Sequence, residues 1–446
     1  MRNFAFPEAA LASPQASYVY QSCRDMLTRP SIRTGLLLAG TVFLSSCLKD
    51  QVTERYTFFR PVYRTKAEVR SEARSAAPVA VSNPGKLFIK GGYVFLNEVD
   101  RGIHVIDFSQ PTAPKNIAFI KIPGCVDMAV RGNHLYADCY TDLVSMDITD
   151  PRQVVVKHFV EGVFPHRRFG NGFVADTNLV ITEWKRVDTV VRSRAGAGMG
   201  WGDPRELSFS DMRAATGSAM SSPGVTNGVG GSMARFGLLD DRLYTVSWSD
   251  LKVFNTADPS KPVYTRTISL NQGDIETIFP YRNRLFLGSQ TGMFIYDASN
   301  KDNPTRLGQF THARACDPVV ADDTHAFVTL RSGGPCAGNI NQLDVIDVTS
   351  LTSPKLVKTY PMKGPAGLSK DGNLLFVCDG SDGLKIYDAA RPDNLVLLKT
   401  IPLADTYDVI AWNRIALTVA KDGIHFIDYT NPQQAFVAGK IVISKS

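Results

Sequence analysis

The sequence predicts an all-β protein, a β-propeller built from four-stranded blades of about 40 residues each. A short phrase returns along the chain, in which an apolar run ends in Asp or Asn and a proline follows within a few residues. The spacings between these ends are 40, 108, 42, 50, 41 and 40 residues, a period typical of propeller blades. We call the seven end residues the anchors: Asp107, Asp147, Asn255, Asp297, Asp347, Asp388 and Asp428.

A second phrase precedes most anchors and predicts the strand order within a blade. A tight polar turn comes before an apolar strand, as at Gly132-Asn133 before Leu135. This pattern indicates a β-hairpin. The prolines behind the anchors, such as Pro111, suit a chain that leaves the third strand for the outer edge of the blade, where a missing amide donor is tolerated.

The gap of 108 residues decides the predicted number of blades. It fits one degenerate blade plus an insertion of about 28 residues, with residues 172–176 and 179–184 as strands of that blade. Eight blades are therefore favoured, and seven blades, with residues 165–233 as one long excursion, are the alternative. Residues 193–233 are rich in Gly, Ala, Ser and Met, which predicts an inserted surface loop.

The composition is that of an ordinary globular protein and excludes one class of partner. The chain has 446 residues, of which 44% are hydrophobic, and a net charge of +6. The basic residues form no block of the kind that binds nucleic acid, so we expect no nucleic-acid partner. We expect a monomer.

The N-terminal region carries the pattern of an export signal. Residues 34–44 form an uncharged apolar run that follows Arg29 and Arg33. The run is too short to span a bilayer, which takes about 20 residues, but it suits a signal-peptide core. It ends at Leu44-Ser45-Ser46-Cys47, which resembles the lipobox of bacterial lipoproteins, in which the cysteine is lipidated. An ordinary secretory signal with a chance cysteine is the alternative.

These signals predict the domain order and the location of the protein. Residues 1–47 are the signal region, within which residues 1–25 read as an incorrectly assigned extension if translation begins at Met26. Residues 48–85 are a tether with a short helix at residues 66–77, and residues 86–446 are the propeller. We expect the protein in the cell envelope, lipid-anchored to the outer membrane through Cys47 and facing either the periplasm or the outside.

Two disulfide bonds are candidates because an exported protein permits them. Cys125 and Cys139 lie symmetrically about Gly132, so we expect them to face each other across two antiparallel strands. Two independent buried thiols are the other interpretation. Cys316 and Cys336 form the second candidate bridge, which would hold the loop that lengthens its repeat to 50 residues.

A candidate ligand or ion site lies where the innermost strands begin. Acids stand 20, 21, 30 and 20 residues before their anchors, and Arg235 takes the corresponding place before Asn255. Innermost strands line the central channel, where converging carboxylates repel unless a cation or hydrogen-bond donors neutralise them. The other interpretation is that each acid caps backbone amides between blades. The candidates are Asp127, Glu276, Asp317 and Asp408, with Arg235 and the nearby His166, Arg167, Arg314 and Arg331; calcium is the candidate ion.

The anchor phrases resemble a known repeat. Endings such as residues 103–107 and 343–347 are similar to the LVIVD repeat, and the resemblance covers about residues 86–444. Beyond the single repeat, the chain resembles the LVIVD-repeat lipoproteins of the Bacteroidetes, in the order of lipobox, tether and propeller. The resemblance implies a β-propeller and supplies no catalytic residue.

No catalytic motif accompanies the repeats. The chain contains no H-E-x-x-H, G-x-S-x-G, P-loop or Cys-x-x-Cys spacing, and we expect no cofactor. The leading hypothesis is a non-enzymatic, lipid-anchored binding module of the cell envelope for a protein or a glycan. The alternatives are an enzyme at the channel mouth, a hydrolase or lyase that uses calcium, and a structural scaffold of an envelope complex.

Overall fold

The computed structural model describes residues 51–170, 173–194, 228–271, 274–312, 318–332 and 340–444. Before the first blade the chain forms strand β1 (Gln51–Thr65), helix α1 (Lys66–Ser71) and strand β2 (Arg74–Ala76). The helix begins at a capping box, in which the Thr65 hydroxyl accepts from the Glu68 amide at 3.2 Å and the Glu68 carboxylate accepts from the Thr65 amide at 2.8 Å. No helix in the described ranges is long and apolar enough to cross a membrane.

Each of the first two blades contains four antiparallel strands formed by one continuous stretch of chain. The strands of blade I, from the inner to the outer, are β3 (Pro84–Lys90), β4 (Tyr93–Glu98), β5 (Gly102–Asp107) and β6 (Lys115–Lys121). Those of blade II are β7 (Met128–Arg131), β8 (His134–Cys139), β9 (Asp142–Asp147) and β10 (Val155–Val160). Strand β2 adds to the outer edge of β6.

The chain then leaves the ring before it begins blade III. The elements of this excursion are a 3-10 helix (Pro165–Arg168), β11 (Phe169–Gly170), β12 (Phe173–Val174), β13 (Leu179–Arg194) and β14 (Val229–Gly230). Strand β13 pairs antiparallel with β1 from Gln51 opposite Arg194 to Thr65 opposite Leu179. We call this two-stranded sheet the ribbon.

The remaining five blades repeat the same plan. Blade III contains β15 (Phe236–Leu239), β16 (Arg242–Ser247), β17 (Asp250–Asn255) and β18 (Val263–Ser269). Blade IV contains β19 (Ile275–Tyr281), β20 (Arg284–Ser289), β21 (Gly292–Asp297) and β22 (Thr305–Thr311). Blade V contains β23 (Val319–Ala321), β24 (His325–Leu330), β25 (Gln342–Asp347) and β26 (Lys355–Pro361).

The last two blades bring the chain back beside blade I. Blade VI contains β27 (Leu368–Asp371), β28 (Leu374–Cys378), β29 (Leu384–Asp388) and β30 (Val396–Ile401). Blade VII contains β31 (Thr406–Trp412), β32 (Ile415–Ala420), β33 (Gly423–Asp428) and β34 (Phe436–Val442). The turns that lead into β30 and β34 are short 3-10 helices, Pro392–Asn394 and Pro432–Gln434.

The predicted β-propeller is confirmed, and it has seven blades, the alternative count. The expectation of an eighth, degenerate blade is wrong. Residues 179–184, which echo a blade strand in sequence, belong to β13 and pair with β1, far away in the chain. The expected loop at residues 193–233 lies for the most part outside the described residues.

The seven anchors close the same local turn. In each blade the anchor's side-chain oxygen accepts a hydrogen bond from the backbone amide two residues later, at 2.8 to 2.9 Å. This is the Asx turn that Asp and Asn favour, which explains why Asn255 serves as well as the six aspartates. The turn leads into an outer strand that carries a β-bulge at the equivalent place in every blade. A bulged, twisted outer strand is a poor template for edge-to-edge pairing.

The ring closes between blade VII and blade I without exchange of a strand between their sheets. The closing contacts are a cluster of buried aliphatic side chains with Phe108 and Phe426, whose ring centroids lie 5.8 Å apart. A single bridge joins Val81 to Ile443. Both chain ends of the propeller are thereby fastened at one seam.

A buried acid holds the segment that leads into blade I. The carboxylate of Glu98 accepts from the amides of Ser82 (3.1 Å) and Asn83 (2.8 Å), and lies 3.0 Å from His104 Nε2. Both Glu98 and His104 are fully buried. Burial acts to raise the pKa of Glu98, but the hydrogen bonds from His104, Ser82 and Asn83 outweigh it and lower the pKa to about 2.

Replacement of this carboxylate should destabilise the fold in a pH-dependent way. Because the pKa of Glu98 is lowered, its contribution is complete above the ordinary pKa of 4.5 and is lost as the pH falls towards 2. We expect Glu98→Gln to lower the free energy of unfolding by about 2 kcal/mol at pH 7 and by much less at pH 3, in urea titrations. The exposed Glu183→Gln serves as the control and should cost less than about 0.5 kcal/mol. An equal loss at both pH values for Glu98→Gln would contradict this role.

Candidate functional site

One position recurs at or next to the start of the inner strand in each blade. It lies four residues before the inner-strand residue that closes the hairpin to the second strand. Examples of such closing residues are Arg131, which pairs with His134, and Trp412, which pairs with Ile415. The residues at this position are Lys86, Asp127, Arg235, Thr277, Gly367 and Asp408 in blades I, II, III, IV, VI and VII. In blade V the pairing of β23 with β24 places Pro318 at this position, and Asp317, one residue earlier, lies outside the described residues. The set is therefore of mixed charge, and not a ring of acids.

Glu276 does not occupy the position that the sequence suggested. It lies in the bulge of β19 between Ile275 and Thr277, and the buried Thr277 takes the place that Asp408 holds in blade VII. The sequence shows this difference of one residue, because Glu276 lies 21 residues before its anchor, whereas Asp127 and Asp408 lie 20 residues before theirs. Lys86 also occupies this position, because it lies four residues before Lys90, which pairs with Tyr93 at the hairpin turn of blade I. The spacing of the acids gives no signal for Lys86, because it is a basic residue.

The channel is occupied by the protein's own chain. Residues 228–235, which we call the channel segment, include β14, which pairs with the inner edge of β3. The segment also hydrogen-bonds to three other blades. The amide of Gly228 donates to Val130 O (2.9 Å), Ser232 Oγ accepts from the Leu368 amide (2.9 Å), and Ala234 O accepts from the Ile278 amide (2.9 Å). The segment thus connects the inner strands of blades I, II, IV and VI.

Glycine is required where the channel segment passes Asp408. A Cβ atom on Gly231 would lie 2.2 Å from Asp408 Oδ2, and one on Gly367 would lie 2.2 Å from Oδ1. The carboxyl group is enclosed between these two backbones. Any larger residue at either position would have to displace it.

Asp127 and Lys86 fasten the channel segment by charge-assisted hydrogen bonds. Asp127, which is 1% exposed, accepts from the amides of Met128 (2.7 Å) and Arg235 (2.5 Å), and Lys86 Nζ donates to Met233 O. Burial raises the pKa of Asp127 and lowers that of Lys86, and in both cases the charge of the other residue opposes the shift. Asp127 therefore caps backbone amides, which is one of the two interpretations given for these acids.

Asp408 is only partly satisfied. Its side chain is 4% exposed, Oδ1 accepts from the Val409 amide at 3.0 Å, and Oδ2 has no hydrogen-bond partner among the described residues. Burial raises the pKa of this carboxyl to about 7, although the positive charge of Lys86 opposes the rise. The group therefore titrates near neutral pH.

The geometry offers little to a bound cation. The charge that offsets Asp127 and Asp408 comes from the lysine ammonium of Lys86. In the part of the chain that the structure describes, no three His, Cys, Asp or Glu side chains are grouped so as to hold a metal ion. The described residues of this cluster do not fit a calcium site, which needs six to eight oxygen ligands.

Of the other predicted site residues, the structure describes Arg167, His166 and Arg331. Arg167 donates to Asp100 Oδ1 (2.8 Å) and Gly124 O (3.0 Å), and its guanidinium lies 5.6 Å from the centre of the Tyr140 ring. It therefore fastens the 3-10 helix of the excursion to blades I and II. His166 is exposed on the same helix, and Arg331 is half-buried after β24. Arg314 lies outside the described residues.

The predicted disulfide between Cys125 and Cys139 is wrong, because both are buried free thiols. Arg131 pairs with His134, so the register would place Cys139 opposite Val126, and a shift of one residue turns a side chain to the other face. The strand also stops short of Cys125. Asp138 Oδ1 accepts from the amides of Val126 (2.8 Å) and Asp127 (2.9 Å) in place of a backbone partner. Cys316 and Cys336 lie outside the described residues.

The burial of Asp408 predicts a pH-dependent gain from its neutral analogue. Because the folded pKa of about 7 exceeds the ordinary value of 3.8, the contribution of Asp408 to stability falls as the pH rises from about 4 through 7. Asp408→Asn retains the acceptor for the Val409 amide and cannot ionise. Urea titrations should show the variant about 2–4 kcal/mol more stable than the native protein at pH 8, and nearly equal to it at pH 4.

A surface substitution of the same kind provides the control. Asp388→Asn alters an anchor turn that Asn255 shows an amide can form, and should change stability by less than about 0.5 kcal/mol. If Asp408→Asn lowered stability at pH 8, the carboxyl of Asp408 would have to be paired in the native state, contrary to this account.

Comparison with solved structures supports the fold and no more. Similar chains include a periplasmic gluconolactonase of Pseudomonas aeruginosa (11% identity, TM-score 0.51, 84% of this chain and 97% of that one). A protein from Lactobacillus plantarum is 14% identical, with a TM-score of 0.49 over 77% of this chain and 89% of that one. PorZ of Porphyromonas gingivalis, a surface component of the type-IX secretion system, is 11% identical, with a TM-score of 0.46 over 83% of this chain and 39% of its own.

Comparison at the level of sequence gives a repeat family. No curated protein matches the chain. The model of the LVIVD repeat matches residues 79–118, which include most of blade I, and residues 336–361, which end in blade V. The chain thus folds as a seven-bladed β-propeller and contains two segments that match the LVIVD repeat.

Proposed function

We propose that this protein is a lipid-anchored interaction module of the cell envelope that binds a protein partner through the outer edge of its propeller. The observation that carries the proposal is an exposed apolar surface on three consecutive blades. The outer strands β30 and β34 each begin with two exposed apolar side chains, and in β26 two such side chains follow Lys355. We call these six residues the apolar rim: Leu356, Val357, Val396, Leu397, Phe436 and Val437.

The apolar rim has defined limits. Its side chains are 38% to 57% exposed, although each is large and apolar. The equivalent positions are polar in the neighbouring blades, Thr305-Arg306 in blade IV and Lys115-Asn116 in blade I. An apolar centre with polar borders is the usual anatomy of a protein interface.

The chemistry of the apolar rim favours a protein over a glycan. Its side chains are those of Leu, Val and Phe, and none of them donates or accepts hydrogen bonds. A sugar presents hydroxyl groups that need such partners when they are desolvated. A protein surface with its own apolar side chains needs no hydrogen-bond partners at this contact. A glycan ligand is the alternative, and photo-crosslinking distinguishes it from a protein.

The closed channel favours binding over catalysis at the channel mouth. Asp127 contacts the protein's own backbone, and Asp408 lies between two glycine backbones. A hydrolase or lyase needs acids that reach a substrate within hydrogen-bond distance. These acids support the channel segment instead.

The proposed location rests on the sequence before the described residues. The apolar run of residues 34–44 and the lipobox-like Leu44-Ser45-Ser46-Cys47 support export and lipidation at Cys47. Two acyl chains give a stable anchor, whereas a single chain binds reversibly. We place the protein on the outer membrane, on its periplasmic or its outer side.

Photo-crosslinking in the native envelope tests the apolar rim. A photoreactive residue in place of Leu397 should yield one discrete protein adduct, since the partner covers this position. The added change Phe436→Asp should reduce the adduct at least about tenfold, because it brings a charge into an apolar contact.

The control for this experiment lies on another blade. The same photoreactive residue at Val263, which is exposed at the equivalent edge of blade III, should give no such adduct. Adducts of equal strength at both positions, or a glycan adduct at residue 397, would contradict the proposed protein interface.

Lipidation has a separate test. Cys47→Ser should transfer the protein from the membrane fraction to the soluble fraction after a wash with 0.5 M salt, because the diacyl anchor is lost. The salt wash removes electrostatic attachment, which is screened at that concentration. Retention of the variant in the washed membranes would refute the anchor at Cys47. Ser46→Ala, which retains Cys47, is the matched control and should remain membrane-bound.

A further inference from the structure

We infer that one face of the ribbon binds the anionic lipid surface beside the anchor and so orients the propeller on the membrane. The inference rests on the proposed lipidation and deepens it, because it assigns the membrane contact to particular side chains. The ribbon is formed by β1 and β13. Its side chains are described at residues 57–65 and 179–188.

The position of the ribbon brings it to the membrane. Its end is the pair of Gln51 and Arg194, and Gln51 lies four residues after Cys47. Four extended residues span at most about 14 Å. A lipid on Cys47 would therefore hold this end of the ribbon near the lipid headgroups.

The two faces of the ribbon differ. Side chains alternate between faces, so Phe58 shares a face with its partner Val187, and with Arg60 and its partner Lys185. We call these four residues the basic face. Phe58 is 47% exposed and both cations are exposed. Neither the Arg60 nor the Lys185 side chain has a hydrogen bond or an ion pair in the described part of the chain.

The opposite face satisfies its own polar groups. Thr57 Oγ1 donates to Asp188 Oδ1 at 2.6 Å, and Arg186 Nε approaches the same oxygen at 3.2 Å. Trp184 on this face packs against Phe173, with ring centroids 5.5 Å apart. Among the described side chains of the ribbon, the cations without an ion pair, Arg60 and Lys185, therefore lie on the basic face, which also carries the exposed Glu183 opposite Val62.

The pairing on the basic face is unfavourable in water. Arg60 and Lys185 are directly opposite each other in the antiparallel register, and like charges in this arrangement destabilise a β-sheet. An anionic surface would relieve the repulsion. The adjacent aromatic Phe58 would enter the boundary between headgroups and acyl chains, as apolar and aromatic side chains do on the membrane face of peripheral elements.

The net charge of the chain is concentrated on the ribbon. Its two strands contain seven basic and three acidic residues, a net charge of +4. Residues 48–446 contain 45 basic and 41 acidic residues, which is also +4. The rest of the chain after Cys47 therefore carries no net charge, and the excess of positive charge lies in the ribbon.

Vesicle binding by the unlipidated full chain tests the inference. The full chain with Cys47→Ser should co-sediment with vesicles of phosphatidylcholine and phosphatidylglycerol (about 7:3) and not with phosphatidylcholine alone, at about 0.1 M salt. Binding should fall at least about tenfold at 0.5 M salt. The additional changes Arg60→Glu and Lys185→Glu should reduce it at least about tenfold, and Phe58→Ser about threefold.

A matched pair of reversals provides the control. Lys115→Glu and Lys355→Glu change the net charge of the chain equally but lie on the outer strands of blades I and V, and should leave binding within about twofold. Far-UV circular dichroism and Tm establish that each variant is folded.

The outcomes separate this inference from the proposed function. Absence of binding to the anionic vesicles, or an equal loss in both pairs of reversals, would overturn the role of the ribbon. Crosslinks from residue 58 to an envelope protein without vesicle binding would also overturn it. None of these results bears on the release of Cys47→Ser or on the adduct at residue 397, which test the anchor and the apolar rim by themselves.

Discussion

Closure of the ring between blade VII and blade I depends on packing, because neither sheet contains a strand from the other. Two complete sheets meet through buried side chains such as Phe108 and Phe426, and a single backbone bridge joins Val81 to Ile443. The segment before β3 must be held in place for this contact to form. The buried carboxylate of Glu98 provides that restraint through the amides of Ser82 and Asn83. The other seams join blades that follow one another in the chain, so this seam is the long-range step of assembly.

The channel segment gives the ring a second restraint from the inside. It hydrogen-bonds to inner strands of four blades, which places Asp127 and Asp408 against backbone and removes them from water, beside the half-buried Lys86. This burial has a cost, because a carboxyl whose pKa is raised to about 7 destabilises the folded state when it ionises. The cluster is therefore better explained as a polar fastening of the protein's own chain than as an open binding site.

Two surfaces remain for contacts outside the molecule, and they differ in chemistry. The apolar rim of blades V to VII carries no charge at its six positions, whereas the ribbon carries a net charge equal to that of the whole chain after Cys47. A neutral apolar surface suits a protein partner, and a basic face with an exposed phenylalanine suits anionic lipid. The proposed lipid anchor connects the two roles, because it would place the ribbon at the membrane and leave the edge of the propeller for a partner.

The sequence by itself determined the repeat and therefore the fold class. The anchors are visible because an Asx turn is local, so that its donor and acceptor are two residues apart and recur with every blade. The number of blades, the partner of β13 and the register at Cys125 were decided by the tertiary structure. Thr57 and Asp188 bond across 131 residues of chain, and no local pattern records which strand will meet which. The same limit applies to the candidate site, where Asp127 and Asp408 were found from their spacing, but Lys86 and the channel segment entered only when the strands were in place. Local hydrogen bonds leave a signature in the residues that form them, whereas contacts between distant segments depend on packing of the whole chain.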